Sequence, residues 1–320
     1  MLIENSTKEV KVMKPIKTME LNMPKPPSDV LWQRKDVMLV AAGSGPCLRE
    51  LYYRAVEQGK LQQLMFCHTT DDDYTMGTAE EKITRVIKRA AAVHGVQVVV
   101  LYLNCLDILT RLDFDYLESS LSEATGVMVR YFFRGPLGKM DIRHFKPVYE
   151  FMAELPEENG CISHNLYQLP PLATDVAGVI DTLPANEAKV LVAPSGCRAC
   201  LRDGDLLEQT QGVYVLETKK QDFIYGIEDN CVKQCSELMS DGKYKSLNLI
   251  SSAVAAFIGF DGNWVANSME NNLKIRSFDM DGFNDAVYGV SCAQELLVEE
   301  EQAVWTSGAE SPEYQRAECI

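Results

Sequence analysis

Short apolar runs alternate along this chain with segments whose apolar residues recur at helical spacing, and the alternation sets the first reading of its fold. Residues 37–42 form an apolar strand pattern that runs into the turn Gly43-Ser-Gly-Pro-Cys47. Leu48, Leu51, Tyr52 and Ala55 then repeat as one helix face up to Gly59, a suitable helix stop. Residues 61–67 predict a second strand. His68 opens a turn that crowds Asp71, Asp72 and Asp73 ahead of a helix over 80–94, where carboxylates suit the positive end of the helix dipole. That helix gathers Ile83, Val86, Ile87 and Ala90 on one face. Residues 96–103 are almost unbroken in apolar content, as in a strand buried on both faces, and end at Asn104-Cys105. Helices over 106–110 and 116–123, a strand over 127–133, a loop over 134–139, a helix over 141–155 and a strand over 162–169 complete the first half. Pro170-Pro171 marks the joint.

The second half repeats the layout. A short apolar run from Ala188 meets a Pro/Ser/Gly turn with Cys197 and Cys200, and Cys200-Leu-Arg echoes Cys47-Leu-Arg. The strand 213–216, the turn around Asp222 and Gly226 and the helix 227–239 follow as the counterparts of Asp73, Gly77 and their helix. The strand 246–250 matches the 96–103 run with Ser251 in place of Cys105, and Gly259-Phe-Asp261 matches Asp113-Phe-Asp115. Strands alternating with helices imply parallel sheets covered on both faces. The expected fold class is therefore α/β, with two tandem Rossmann-like, doubly wound parallel-sheet units. The expected divisions are an N-terminal arm over 1–29, units over 30–184 and 185–300, and an acidic tail over 301–320.

Length and charge narrow the function classes. A chain of 320 residues with 46% apolar content suits two domains of about 150 residues each. No apolar run approaches the roughly 18 residues of a membrane span, and the N-terminal residues lack the pattern of an export signal, so a cytoplasmic location is expected. With 31 basic against 46 acidic residues the net charge is -15, which repels nucleic acid and anionic lipid.

Ten cysteines in such a chain read as thiols or metal ligands before disulfides. Cys197, Cys200, Cys231 and Cys235 could form a four-thiolate zinc site, but Cys231 and Cys235 fall on a helix with Ile227 and Leu238 and are expected to pack inward. Gly43-x-Gly45 lacks the third glycine of a dinucleotide fingerprint, and no G-x-x-x-x-G-K-[ST] exists for ATP. The Asp71–Asp73 cluster could hold a divalent cation, though a helix N-terminus explains it as well. His68, His94, His144 and His164 share no spacing from which a hydrolytic triad could be argued. Cys47 and Cys105 stand out because each follows the carboxyl end of a predicted parallel strand, the edge where open sheets place ligands; Cys67 also ends a strand. Converging thiolates suit an iron-sulfur cluster better than a hard cation.

Gly45-Pro-Cys47-Leu, the block Thr69-Thr-Asp-Asp-Asp-Tyr-Thr-Met-Gly77 with Glu80, Glu81 and Ile83 behind it, and the run ending at Cys105 with Asp113-Phe-Asp115 resemble the signature order of nitrogenase component 1-type oxidoreductases. That family includes nitrogenase catalytic subunits and reductases of tetrapyrrole biosynthesis. The resemblance covers residues 37–135 and recurs weakly over 188–265. It implies an iron-sulfur cluster, of four-iron type, ligated by Cys47 and Cys105, with the strand-end Cys67 as a candidate third ligand. It further implies electrons delivered by an ATP-hydrolysing iron-sulfur reductase, and an unknown substrate such as a tetrapyrrole. Family members usually have three such domains, and no counterpart of the nitrogenase cofactor ligands is found here. The rival expectation is a non-catalytic cofactor-binding or cluster-assembly scaffold of the same fold. Because one chain offers two well-placed thiolates, a homo- or heterodimer sharing the cluster across its interface is expected.

Overall fold

The computed structural model describes residues 26–110, 112–140, 145–163, 169–194, 212–269 and 273–307. It contains two four-stranded, all-parallel sheets. In the first, β1 (Val37–Gly43) pairs with β2 (Leu64–His68) on one side and β3 (Val98–Leu103) on the other, and β4 (Met128–Phe133) adds outside β3, giving the order β2-β1-β3-β4. In the second, β5 (Ala188–Val192), β6 (Val213–Val215), β7 (Ser246–Ser251) and β8 (Lys274–Phe278) repeat that order as β6-β5-β7-β8. Two tandem doubly wound units are thus present.

Alternation along each strand feeds a core on either face. In the first unit Met38, Val40 and Ala42 pack on Ile83 and Ile87 of α4 (Ala79–Ala91) and on Leu117 and Leu121 of α6 (Phe114–Thr125). Val37, Leu39 and Ala41 face the other way, onto α1 (Pro27–Leu31), α2 (Gly45–Glu57) and α8 (Val148–Ala153) through Leu31, Leu48, Leu51 and Phe151. The remaining helices of this unit are short: α3 (Asp71–Thr75), α5 (Cys105–Leu109) and α7 (Gly135–Met140).

The second unit is built alike. Val190, Val192 and Leu249 pack on α11 (Glu228–Met239) and α13 (Gly262–Ser268) through Ile227, Cys231, Cys235 and Val265. Leu191, Ile250 and Phe278 pack on α9 (Asp175–Thr182) and α14 (Ala286–Ser307) through Val176, Val179, Cys292 and Leu296. Helices α10 (Asp222–Tyr225) and α12 (Ala253–Phe257) complete it.

Several expectations are corrected. The segment 134–139, read as a loop, forms α7 despite its two glycines and a proline, with Leu137 buried. Residues 162 and 163 are not strand, and the rest of that proposed strand up to 168 lies outside the described residues. Helix α1 starts inside the expected arm, with Pro27 in its first turn, where a missing N–H costs nothing. Helix α14 continues to Ser307, into the expected tail. Helix α9, which a division at 184 assigns to the first unit, belongs to the core of the second sheet.

The repeat also aligns differently at one point. Cys105 stands two residues beyond the end of β3, and the residue two beyond the end of β7 is Ala253, not Ser251. The matching caps Asp113 and Asp261, which accept from the backbone N–H of Tyr116 and Trp264, agree with this register.

Candidate functional site

The carboxyl edges of the two sheets face each other. Cys105, Leu106 and Leu137 of the first unit share a buried cluster with Val254 of the second, flanked by Tyr74, Phe223, Ala253 and Phe283. Where β1 and β3 part company in the strand order, the sequence folds to lock the edge. Asn104 caps α5, accepting from the Leu106 and Asp107 N–H groups, and its amide nitrogen donates back to the Ala42 carbonyl at 3.1 Å. Gly43 makes this crossing possible, with φ of 142° and space so tight that a Cβ would lie 2.0 Å from Asn104 Nδ2. Arg134 ties the same corner, donating to the carbonyls of Cys47 (2.9 Å) and Ala42 (3.3 Å) with its guanidinium over the Tyr102 ring.

Behind this corner runs a buried polar chain. Tyr74 donates to Asp107 Oδ1 at 2.8 Å, while its oxygen also contacts Thr69 Oγ1 at 2.8 Å, and the Asn104 N–H donates to Asp107 Oδ2. Burial raises the Asp107 carboxyl to about 6, with the Asn104 and Tyr74 donors holding it from going further. The second unit has Phe223, Ser252 and Ala255 at the corresponding places, so this chemistry exists in one copy only.

The three candidate ligand cysteines do not converge. Cys67 points into the core beneath α4 and α6, where burial, then the Asp107 charge, pushes its thiol up to about 12. Cys47 is half-buried in the first turn of α2, on the other side of the sheet. Cys105 lies at the sheet edge, 8% exposed, covered by the chain's own second unit. No group of three or more His, Cys, Asp or Glu side chains that could hold a metal forms among the described residues. The described residues of one chain therefore do not present together the four thiolates that a four-iron cluster takes. The alternation of β2 thus turns Cys67 into the core beneath α4 and α6, apart from Cys47 on α2 and Cys105 at the sheet edge.

Cys231 and Cys235 are fully buried under the second sheet with their sulfurs 3.8 Å apart; Cys197 and Cys200 lie outside the described residues. Cys292 is disulfide-bonded, where thiols or metal ligands were expected before disulfides.

The cavity of this edge opens beside the β1 and β2 ends. It has a volume of about 340 Å³, within the size range of small-molecule sites. Gly45 and Leu48 of α2 and Phe66 and His68 of β2 form one wall, the segment 169–174 a second, and Gly282 to Asp285 a third. An antiparallel bridge between Thr174 and Asp285 joins the last two walls, supported by the Ala286 N–H donating to the Ala173 carbonyl. Arg49 of α2 donates to the Pro171 carbonyl and lies over the Tyr53 ring, holding the 169–174 wall to the first unit. His68 is held below the ordinary histidine range by partial burial and the nearby Lys82.

Behind the third wall two carboxyls meet. Asp175, fully buried, accepts from the Val176 and Gly282 N–H groups at 2.7 and 3.2 Å; Asp281 accepts from the Phe283 N–H at 2.8 Å. Burial and then the Asp281 charge raise Asp175 to about 7. Sequence reading missed Thr174, Asp175 and Asp281 to Asp285. The available signals were the Pro170-Pro171 joint and the turn-forming run Asp279-Met-Asp-Gly-Phe-Asn-Asp285.

Fold and edge together define a two-unit α/β protein with a cleft between its units. No family model matches the chain, and no curated relative matches it. Among solved structures, the crystal structure of a protein described as a transcriptional regulator from Clostridium difficile 630 shares 8% identity over 85% of this chain and 92% of its own, with a TM-score of 0.22. A likeness of that size carries no argument about fold or function. No described helix is long and apolar enough to cross a membrane.

Proposed function

We propose that this chain is a ligand- or cofactor-carrying protein that holds a small molecule in the cleft between its α/β units, the scaffold alternative within the nitrogenase-like resemblance. The observation that supports this reading is the cleft of about 340 Å³ at the carboxyl edge, walled by β2, α2 and the paired segments 169–174 and 282–285. Its test is a thermal-shift screen of a metabolite library on the full chain and on a His68→Trp variant, whose indole fills the cleft from an exposed position. Compounds that raise the melting temperature of the native chain and not of the variant support the reading. A library without such compounds overturns it.

A second reading keeps the redox role. Cys47 and Cys105 each stand in the first turn of a helix that follows one of two neighbouring strands, β1 and β3, at the carboxyl edge of the first sheet. On this reading each chain gives these two thiolates to an iron-sulfur cluster completed by a partner subunit, and an ATP-hydrolysing iron-sulfur reductase supplies electrons for an unknown substrate. Cys67 drops out of the ligand set. The second unit covers Cys105, so the reading requires the units to part. Anaerobic purification with iron analysis tests it: about two irons per chain, lost in Cys47→Ser and Cys105→Ser, support a shared cluster, and iron-free protein from an iron-replete preparation overturns it.

A further inference from the structure

The walls of the cleft differ in chemistry. Leu48, Phe66, Leu169, Pro170, Leu172 and Phe283 make it mostly apolar, with two aromatic rings available for a flat ligand. Among the described residues, no Lys or Arg lines it. The nearest guanidinium, Arg49, is committed to the Pro171 carbonyl and the Tyr53 ring, and His68 is held toward its neutral form. Among the described residues, the positive contribution to the cleft comes from the start of α2, worth about half a charge at most.

The opposite wall is negative. Asp285 lines the cleft, and Asp281 and Asp175 stand directly behind it, with no ion pair to any of the three among the described residues. Burial and then the Asp281 charge favour the protonated form of Asp175, and burial, then Asp281 and Asp175, raise the neighbouring Tyr288 phenol. Thr174, which lines the cleft between Gly45 and Asp285, is 4% exposed and keeps a buried Oγ1 without a hydrogen-bond partner. A buried hydroxyl left unpaired costs stability, and a ligand donor or acceptor at this point would relieve it.

Resting on the cleft reading above, we propose that the cleft takes an amine, with a flat apolar body between Phe66, Leu172 and Phe283 and its ammonium group directed at Asp285, in front of the Asp175–Asp281 pair. An anion meets the carboxyl wall and, among the described lining residues, no side-chain cation. A neutral molecule gains the apolar contacts and leaves the carboxyl repulsion in place. The ammonium gains both, and its charge drives the shared proton off the Asp175–Asp281 pair into the buffer. Asp285 and Tyr288, at the start of α14, stand beside that pair, and His68, on the opposite wall, is held toward its neutral form. Binding therefore strengthens as pH rises from 6 to 8, while an aliphatic amine stays charged.

Three probes with one apolar body separate the possibilities: phenethylammonium, phenethyl alcohol and phenylacetate, titrated into the full chain by calorimetry at pH 6 and pH 8. The expected result is binding of the ammonium, weaker binding of the alcohol and none of the carboxylate. Proton release on ammonium binding is expected at pH 6, with about a tenfold loss of affinity in Asp285→Asn. Phenylacetate binding as tightly as phenethylammonium, an Asp285→Asn variant with unchanged affinity, or no binding of any probe would each overturn the amine assignment. The cleft reading itself stands or falls separately, on the library screen against His68→Trp.

Discussion

Gly289 lies against the backbone of Asp175: a Cβ on Gly289 would come within 2.0 Å of the Asp175 carbonyl oxygen. Gly178 answers from the other helix, where a Cβ would lie 2.1 Å from the Ala286 carbonyl oxygen. Helices α9 and α14 therefore cross at backbone contact, and this crossing fixes both the Asp175 carboxyl and the start of α14 beside the cleft. A methyl group at either glycine forces the helices apart, because the obstacle is main chain. Gly289→Ala is expected to lower unfolding free energy by about 2 kcal/mol in urea melts. Ser291→Ala, on the exposed side of the same helix, should stay within about 0.5 kcal/mol of the native chain.

The carboxyl pair gives stability a pH dependence of predictable sign. Asp175 holds its proton to about 7 in the folded chain, against an ordinary value of 3.8. Between those values the unfolded chain releases the proton first, so rising pH favours unfolding through this window and ceases to do so above about 7. Asp107, raised to about 6, acts in the same direction. Asp281→Asn removes the repelling charge and should flatten the slope between pH 5 and 7. Chemical denaturation of both proteins at pH 5 and pH 8 measures it, and parallel losses would show that Asp281 does not set the Asp175 proton.

Arg276 is the cation on which the outer side of the second sheet depends. It is 3% exposed on β8 and donates to Glu187 at 2.6 Å and to both oxygens of Glu300 on α14 at 2.8 Å, with Asn248 as a further acceptor. Removing it leaves two poorly exposed carboxylates facing each other, with Lys274 alone near Glu300. Arg276→Ala should therefore cost about 3 kcal/mol. The same change made on a Glu300→Gln background should cost distinctly less, and equal costs would mean that Arg276 acts by packing rather than charge.

How much of this was legible in the sequence follows from which forces are local. The buried strands β1 and β3 could be read because a strand covered on both faces must be apolar throughout, and Val98 to Leu103 is. The repeat could be read because turn chemistry recurs with it, as at Asp113 and Asp261. The cysteine set could not. Cys47, Cys67 and Cys105 each end a strand or open a helix, but the alternation of β2 turns Cys67 into one core while Cys47 rides on a helix over the other. The cleft was hidden for a different reason: its walls come from segments more than 100 residues apart, joined by the Thr174–Asp285 bridge. The strand expected at 162–169 and the acidic tail expected from residue 301 came from local apolar content and charge, although α14 runs on to Ser307.

Thiol reactivity reports how the two units are joined. Among the described free cysteines, Cys161 is the exposed one and should be alkylated before the others. Cys67 has a thiol raised to about 12 inside the first core, so it presents almost no thiolate at pH 8 and should react only on global unfolding. Cys105 differs from both, since its cover is Val254, Ala253 and Phe283 of the second unit rather than its own sheet. Separation of the units, without unfolding of either, would expose it. Val254→Asp places a charge in that apolar contact and should speed iodoacetamide labelling of Cys105, read by peptide mass spectrometry, by about tenfold or more while leaving Cys67 protected. If Cys105 and Cys67 become reactive together, the units do not open independently of the first core, and the requirement that they part to complete a shared cluster cannot be met.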